Sequence, residues 1–215
     1  MARWAVFDVD GTLIPNTSVE QLFLKELLQK QALTISQLGT FLLFAISAVL
    51  NRQRNPLRSN KGYYRGMPVG SARRFAAYFT RQQLISRISP RGVAEIERRK
   101  QKGYHIFLLS GAPQFLIEPL ATYLQADFVL GTQLEHHRGY FTGKLAAPHP
   151  FGPQKTKYLQ TLASELNIHF QESAVFANHH TDALHMALFG EAIAVNPTPQ
   201  LAQTAQTYHW AIVHW

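Results

Sequence analysis

The sequence predicts an α/β fold, a doubly wound parallel sheet with a small helical cap. Short apolar runs, each closed by small or polar residues, alternate with helix-length segments. Nearly a hundred residues separate the first run from the second, far more than one crossover helix needs. At 215 residues, 46% hydrophobic and 16% charged, the chain can bury one full-sized domain with an insertion, which excludes a solvated tail.

The first run, Arg3 to Asp8, ends in an acid and is broken by Gly11, as suits a buried strand delivering a side chain at its carboxyl edge. Val19 to Gln31 and Leu33 to Leu50 then read as helices, Asn51 to Gly70 as loop and Ser71 to Ile88 as helix. Further strands are expected at Tyr104 to Leu109, Phe128 to Leu130, Ala174 to Ala177 and Ala192 to Val195. Helices are expected at Pro90 to Lys102, Phe115 to Gln125, Lys155 to Leu166 and Thr181 to Leu188. Leu134 to Leu145 reads as a hairpin turning at His136-His137-Arg138-Gly139. The expected division is a core of residues 1–15 plus 88–215 and an inserted helical cap of 16–87. Ligands of such a sheet bind at the carboxyl ends of its strands, where the polar run endings collect.

Without cysteine, disulfides and thiolate metal sites are excluded. The N-terminus reaches Asp8 without the long apolar segment of a signal peptide, so a cytoplasmic protein is expected, with membrane association through the cap as the alternative. Charge is uneven. Residues 51–102 hold fourteen of the 21 Lys and Arg and only Glu95 and Glu97, a net +12 against −4 for the rest. Such a field draws phosphate esters, nucleic acid or anionic lipid, and a solvated Arg-rich helical surface is the plainer account. For nucleic acid the charge stands alone, without a recognition motif.

Gln31 to Asn51 carry no charge and Leu38 to Leu50 are nearly all apolar. A helix of a soluble cap, an interfacial helix and a membrane span are all compatible with that run. Thr34, Ser36, Gln37, Gly39, Thr40 and Ser47 weigh against a span, while Arg52, Arg54, Arg58 and Lys61 downstream favour contact with an anionic surface.

The strongest chemical signal is Asp8-Val9-Asp10-Gly11-Thr12-Leu13, two carboxylates two positions apart at a strand end. One can attack phosphorus while the other, protonated, serves the leaving oxygen and then takes a proton from water. A calcium loop would continue with further acids, and here Leu13-Ile14-Pro15 follows. His179, His180 and His185 raise a site for a softer metal, although the five-residue step from His180 to His185 suits one helix face poorly.

Asp8 to Leu13 resembles the first motif of the haloacid dehalogenase superfamily, and Phe107-Leu108-Leu109-Ser110-Gly111 its second. Lys155 in Gly152-Pro153-Gln154-Lys155 resembles the third, and Phe176-Ala177-Asn178-His179-His180-Thr181-Asp182 the fourth. The resemblance runs from Arg3 to about Trp210 and is nearest the phosphoserine-phosphatase-like branch, whose helical cap follows the first motif; Ala194-Val195-Asn196-Pro197 with Leu201 resembles that branch too. It implies a Rossmann-like core, a phosphatase reaction through an aspartyl phosphate, and Mg²⁺ as cofactor. Asp8 would be nucleophile and metal ligand, and Asp10 acid/base and metal ligand. Ser110 and Lys155 would act in catalysis, Thr12, Gly111 and Lys155 would bind the phosphoryl group, and Asn178 and Asp182 would complete the metal site. Where the superfamily usually places an acid, this chain has Asn178, so weakened metal affinity is expected, and a non-catalytic phosphate-ligand or protein-binding module is the alternative. The expected substrate is a small-molecule or lipid phosphate ester, with peripheral membrane contact through the cap.

Overall fold

The structure, a computed structural model, describes residues 2–32, 34–50 and 61–215. Its main sheet contains β1 (Trp4–Phe7), β2 (His105–Pro113), β3 (Phe128–Thr132), β6 (Ala174–Ala177), β7 (Glu191–Val195) and β8 (Ala211–Val213). All six are parallel, in the order β3-β2-β1-β6-β7-β8, so β1 lies between β2 and β6. β4 (Leu134–His137) and β5 (Tyr140–Leu145) form a separate antiparallel hairpin.

Period-two alternation sends the two faces of each strand into two cores. Ala5, Phe7, Leu108, Phe176 and Val195 join one cluster; Trp4, Val6, Phe107, Leu109, Val175 and Ala194 join the other. Helices α4 (Pro90–Gln101) and α5 (Gln114–Tyr123) cover the first face through Ile96, Leu116 and Leu120. Helices α6 (Pro153–Glu165) and α8 (Pro199–Thr207) cover the second through Leu159, Leu201 and Ala205. Both faces of β1 are buried, which is why its four residues are apolar throughout.

The insertion between β1 and β2 carries α1 (Val19–Gln29), α2 (Ile35–Leu50) and α3 (Val69–Phe79). Ser18 caps α1 by accepting the Gln21 N–H. An aromatic cluster joins the insertion to the sheet: Phe115 lies 5.9 Å from Phe23 and 5.4 Å from Tyr64, centroid to centroid. The hairpin meets the same segment, with Gly66 N–H donating to Phe141 O, and Val69 N–H to Gly139 O, each at 2.9 Å.

Several boundaries differ from the sequence reading. β2 continues through Ser110 and Gly111 to Pro113 with an irregularity after Leu109, because its neighbour β3 extends to Thr132. The hairpin turns on Arg138 and Gly139 alone, both at positive φ, the two-residue geometry that matches strand twist. The expected helix Ser71 to Ile88 is α3 followed by a π-turn at Thr80–Leu84 and a 3-10 turn at Ile85–Arg87. Thr181 to Leu188 holds only a 3-10 turn and the short α7 (Ala183–Met186). β8 and α8 are additional elements. Leu33, the expected start of the second helix, and residues 51–60 of the expected loop lie outside the described residues.

Among the described residues no helix is long and apolar enough to cross a membrane. The 16 residues of α2 span about 24 Å at 1.5 Å per residue, against a hydrocarbon thickness of about 30 Å.

Candidate active site

The carboxyl ends of β1, β2 and β6 and the insertion enclose a cavity of about 360 Å³. Asp8, Asp10, Gly111, Lys155, Asn178 and Asp182 line it. Asp8 follows β1 directly, and its backbone N–H continues the sheet by donating to Phe176 O at 2.9 Å. Thr12 Oγ1 donates to Asp8 Oδ2 at 3.1 Å, while Lys155 Nζ donates to Asp8 Oδ1 at 2.7 Å. Thr12 thus touches the Asp8 carboxylate from within the protein and does not line the cavity.

Lys155 also lies 3.0 Å from Asp182 Oδ1, so one ammonium from α6 joins carboxylates delivered by β1 and by the loop after β6. Burial alone would pull Lys155 down and Asp182 up. The opposite charges outweigh it, so Lys155, facing Asp182 and Asp8, is held above its ordinary range and Asp182, facing Lys155, below its own. Burial also dominates at Asp8, where it raises the pKa to about 6 against the pull of Lys155. Asp10 is pushed up by burial to about 7, although its Oδ1 accepts the Val19 N–H at 2.8 Å.

Ser110 is buried and, like Thr12, does not line the cavity; its Oγ accepts the Ala112 N–H at 3.0 Å, which leaves its own proton to be donated. Gly111 faces the cavity next to His149, a residue without a signal in the sequence. Thr132 Oγ1 lies 2.6 Å from Gly111 O and 2.7 Å from His149 Nδ1. Its single proton goes to the carbonyl, so Nδ1 of His149 is the donor in the second contact and the ring is fixed beside Gly111. Glu20, Tyr63 and Phe151 also line the cavity and were equally unread, while Lys61, read in the sequence as part of a basic cluster for an anionic surface, is instead buried in the cavity wall.

Asn178 packs on the turn after Asp10. A Cβ built on Gly11 would fall 2.0 Å from Asn178 Nδ2, so glycine is required there both by this contact and by a φ of +80°. His179 lines the cavity with its ring centroid 4.2 Å from that of the exposed His180, and His185 is buried, its pKa lowered to about 3 mainly by burial. Among the described residues no three His, Asp or Glu side chains form a metal-binding group, at the histidines or around Asp8. Asp8, Asp10, Asn178 and Asp182 line one cavity and offer carboxylate and amide oxygens to it. Such a set fits a hard divalent cation that keeps several waters.

The model of the haloacid dehalogenase-like hydrolases matches residues 5–187 of the chain, from β1 through α7. The chain belongs to this family. Phosphoserine phosphatase SerB2 of Mycobacterium tuberculosis is 27% identical over 203 residues, covering 94% of this chain and 46% of SerB2, so the chain spans about half the length of that relative. Among solved structures, a protein of unknown function from Bordetella pertussis superposes with a TM-score of 0.76 at 18% identity, covering 99% of this chain and 98% of that one. A phosphoserine phosphatase solved as a phospho-aspartyl intermediate analogue superposes with a TM-score of 0.65 at 16% identity, covering 99% and 93%. These structures share the hydrolase fold, a parallel sheet flanked by helices, with this chain.

Proposed function

We propose that the protein is a Mg²⁺-dependent phosphomonoester hydrolase that works through an aspartyl phosphate on Asp8, with the inserted segment 16–87 as the cap over the site. The observation that carries this reading is the Asp8 carboxylate, oriented by Lys155 and Thr12 in a cavity that also contains Asp10. A phosphoserine phosphatase of the same fold has been captured as a phospho-aspartyl analogue, which supports the assignment by likeness.

In this mechanism Asp8 attacks phosphorus, forming an Asp8 O–P bond as the ester P–O bond breaks. Asp10, with a pKa near 7, donates its proton to the leaving oxygen. It then takes a proton from the water that hydrolyses the acyl phosphate, so one group serves both steps. The Ser110 hydroxyl and the Gly111 N–H hold phosphoryl oxygens, and Lys155 offsets the charge gathered on Asp8 and the phosphoryl group. Asp8, Asp10, Asn178 and Asp182, which line the cavity together, would hold Mg²⁺. Bound there, the cation would withdraw charge from the phosphoryl oxygens.

The substrate reading is an amphipathic or lipid phosphate ester. It rests on α2, where Leu42 and Leu43 are 60% and 70% exposed, and on the exposed Arg65, Arg73, Arg74, Arg81 and Arg87 of the same insertion. Asn178 supports a second reading, a binding module for phosphate ligands whose metal site has weakened. A phosphatase panel with Mg²⁺ titrated to high concentration, run beside Asp8→Asn, decides between them: Mg²⁺-dependent turnover lost in the variant supports the enzyme, and ligand binding without turnover supports the module.

A further inference from the structure

Glu20 of α1 reaches into the cavity, where an isolated carboxylate would attract a cationic group on the substrate. It is already paired. Lys61 Nζ lies 2.6 Å from Oε1 and 2.5 Å from Oε2 of Glu20, and the Tyr63 hydroxyl donates to Oε1. The Lys61 side chain is only 1% exposed, so solvent does little to weaken the pair. The backbone of Lys61 is held as well: its carbonyl accepts the Tyr64 N–H at 3.0 Å, and Gly143 of β5 approaches so closely that a Cβ there would lie 3.2 Å from Gly62 Cα and 3.5 Å from Lys61 O.

The other carboxylates lining the cavity are Asp8, Asp10 and Asp182, all committed to the phosphoryl end. Among the described residues, therefore, Glu20 is the one carboxylate lining the cavity outside the phosphoryl end, and it is compensated. An ammonium brought to Glu20 would lie within a few ångströms of the Lys61 ammonium, in a poorly solvated place, and like charges there repel strongly. The neighbouring Leu24, Tyr63 and Phe151 offer apolar surface instead.

We propose that Lys61, by neutralising Glu20, is a specificity-determining residue that turns the site against phosphate esters bearing an ammonium group and toward those with an uncharged alcohol. This deepens the phosphatase reading and rests on it for turnover. It separates the chain from what the name of its relative SerB2 suggests.

The test compares two esters of one skeleton, ethanolamine phosphate and 2-hydroxyethyl phosphate, which differ by an ammonium in place of a hydroxyl. The wild type should favour the hydroxyl ester in kcat/KM by about tenfold or more. Lys61→Met keeps the aliphatic stem and frees the Glu20 charge, so the preference should narrow or invert; adding Glu20→Gln should remove that gain for the ammonium ester. Calorimetry on Asp8→Asn, with and without Lys61→Met, reads the same preference in affinity without turnover. Discrimination in binding but no hydrolysis by the wild type would sink the phosphatase reading and leave this proposal standing. Equal or tighter binding of ethanolamine phosphate by the Lys61-containing protein overturns it, as does an unchanged ratio in a Lys61→Met protein with native circular dichroism, or no binding of either ester.

Discussion

Lys155 Nζ lies 2.7 Å from Asp8 Oδ1 with both groups almost fully buried, and the same ammonium reaches Asp182 at 3.0 Å. One cation thus faces two carboxylates, one at the end of β1 and one in the turn after β6. Removing it leaves two like charges in a place where neither is well solvated. Lys155→Met should lower stability by about 3–5 kcal/mol, the usual consequence of breaking a buried pair from one side. It should also lower phosphatase turnover by two orders of magnitude or so. Urea unfolding and a single-ester assay check both parts, and a loss of stability below about 1 kcal/mol would mean that water reaches the pair freely.

The raised pKa values of Asp8 and Asp10, about 6 and about 7 against an ordinary 3.8, set a pH dependence. Between those values and 3.8 these two groups hold more protons in the folded metal-free protein than in the unfolded chain, so they make stability fall as pH rises through roughly 4 to 7, opposed in part by His185, whose lowered pKa of about 3 acts in the other direction. Mg²⁺ requires ionised carboxylate and competes with those protons. The increase in Tm produced by Mg²⁺ should therefore grow from pH 5 to pH 7.5 and then level off. Thermal scans with and without the metal measure this; an increment equal at both ends would place the cation away from Asp8 and Asp10.

The exposed face of α2 carries its own expectation. Binding to anionic vesicles should be measurable at low salt and decline as salt screens the basic residues beside it, each worth about 1 kcal/mol near such a surface. Replacing Leu42 and Leu43 together by Glu should abolish flotation with the vesicles while leaving turnover of a soluble ester intact. Persistence of flotation in that variant would assign the contact to charge alone.

What could be read in the sequence follows contact range. Asp8 and Asp10 sit in one short segment, and a buried strand must deliver its terminal side chains at the carboxyl edge, so motif and place were legible together. The Glu20–Lys61 pair joins residues 41 positions apart, and Thr132–His149 residues 17 apart, through elements whose packing no local pattern encodes. β8 escaped because three partly exposed residues at a sheet edge carry too little pattern. The start of α8 did leave a signal, Thr198 followed by Pro199, but the polar run behind it lacks a clear apolar stripe.

Asn178 carries the last expectation. Its amide lies against Gly11, the residue after Asp10, and lines the same cavity as Asp8. Near that position an amide offers a divalent cation only a dipole, whereas a carboxylate offers a full charge. Even at an effective dielectric near 20, a unit charge close to the ion contributes several kcal/mol before its desolvation is subtracted, so Asn178→Asp should tighten Mg²⁺ by about tenfold or more. The two side chains are nearly the same size, so the packing on Gly11 should survive. If the wild type is an enzyme short of metal, the variant should be faster at low Mg²⁺ and no faster at saturation. If the chain is a binding module, affinity should rise while turnover stays absent. Calorimetry with Mg²⁺ on both proteins, read beside the phosphatase assay, separates these outcomes, and an unchanged affinity would show that the Asn178 side chain serves the Gly11 turn alone.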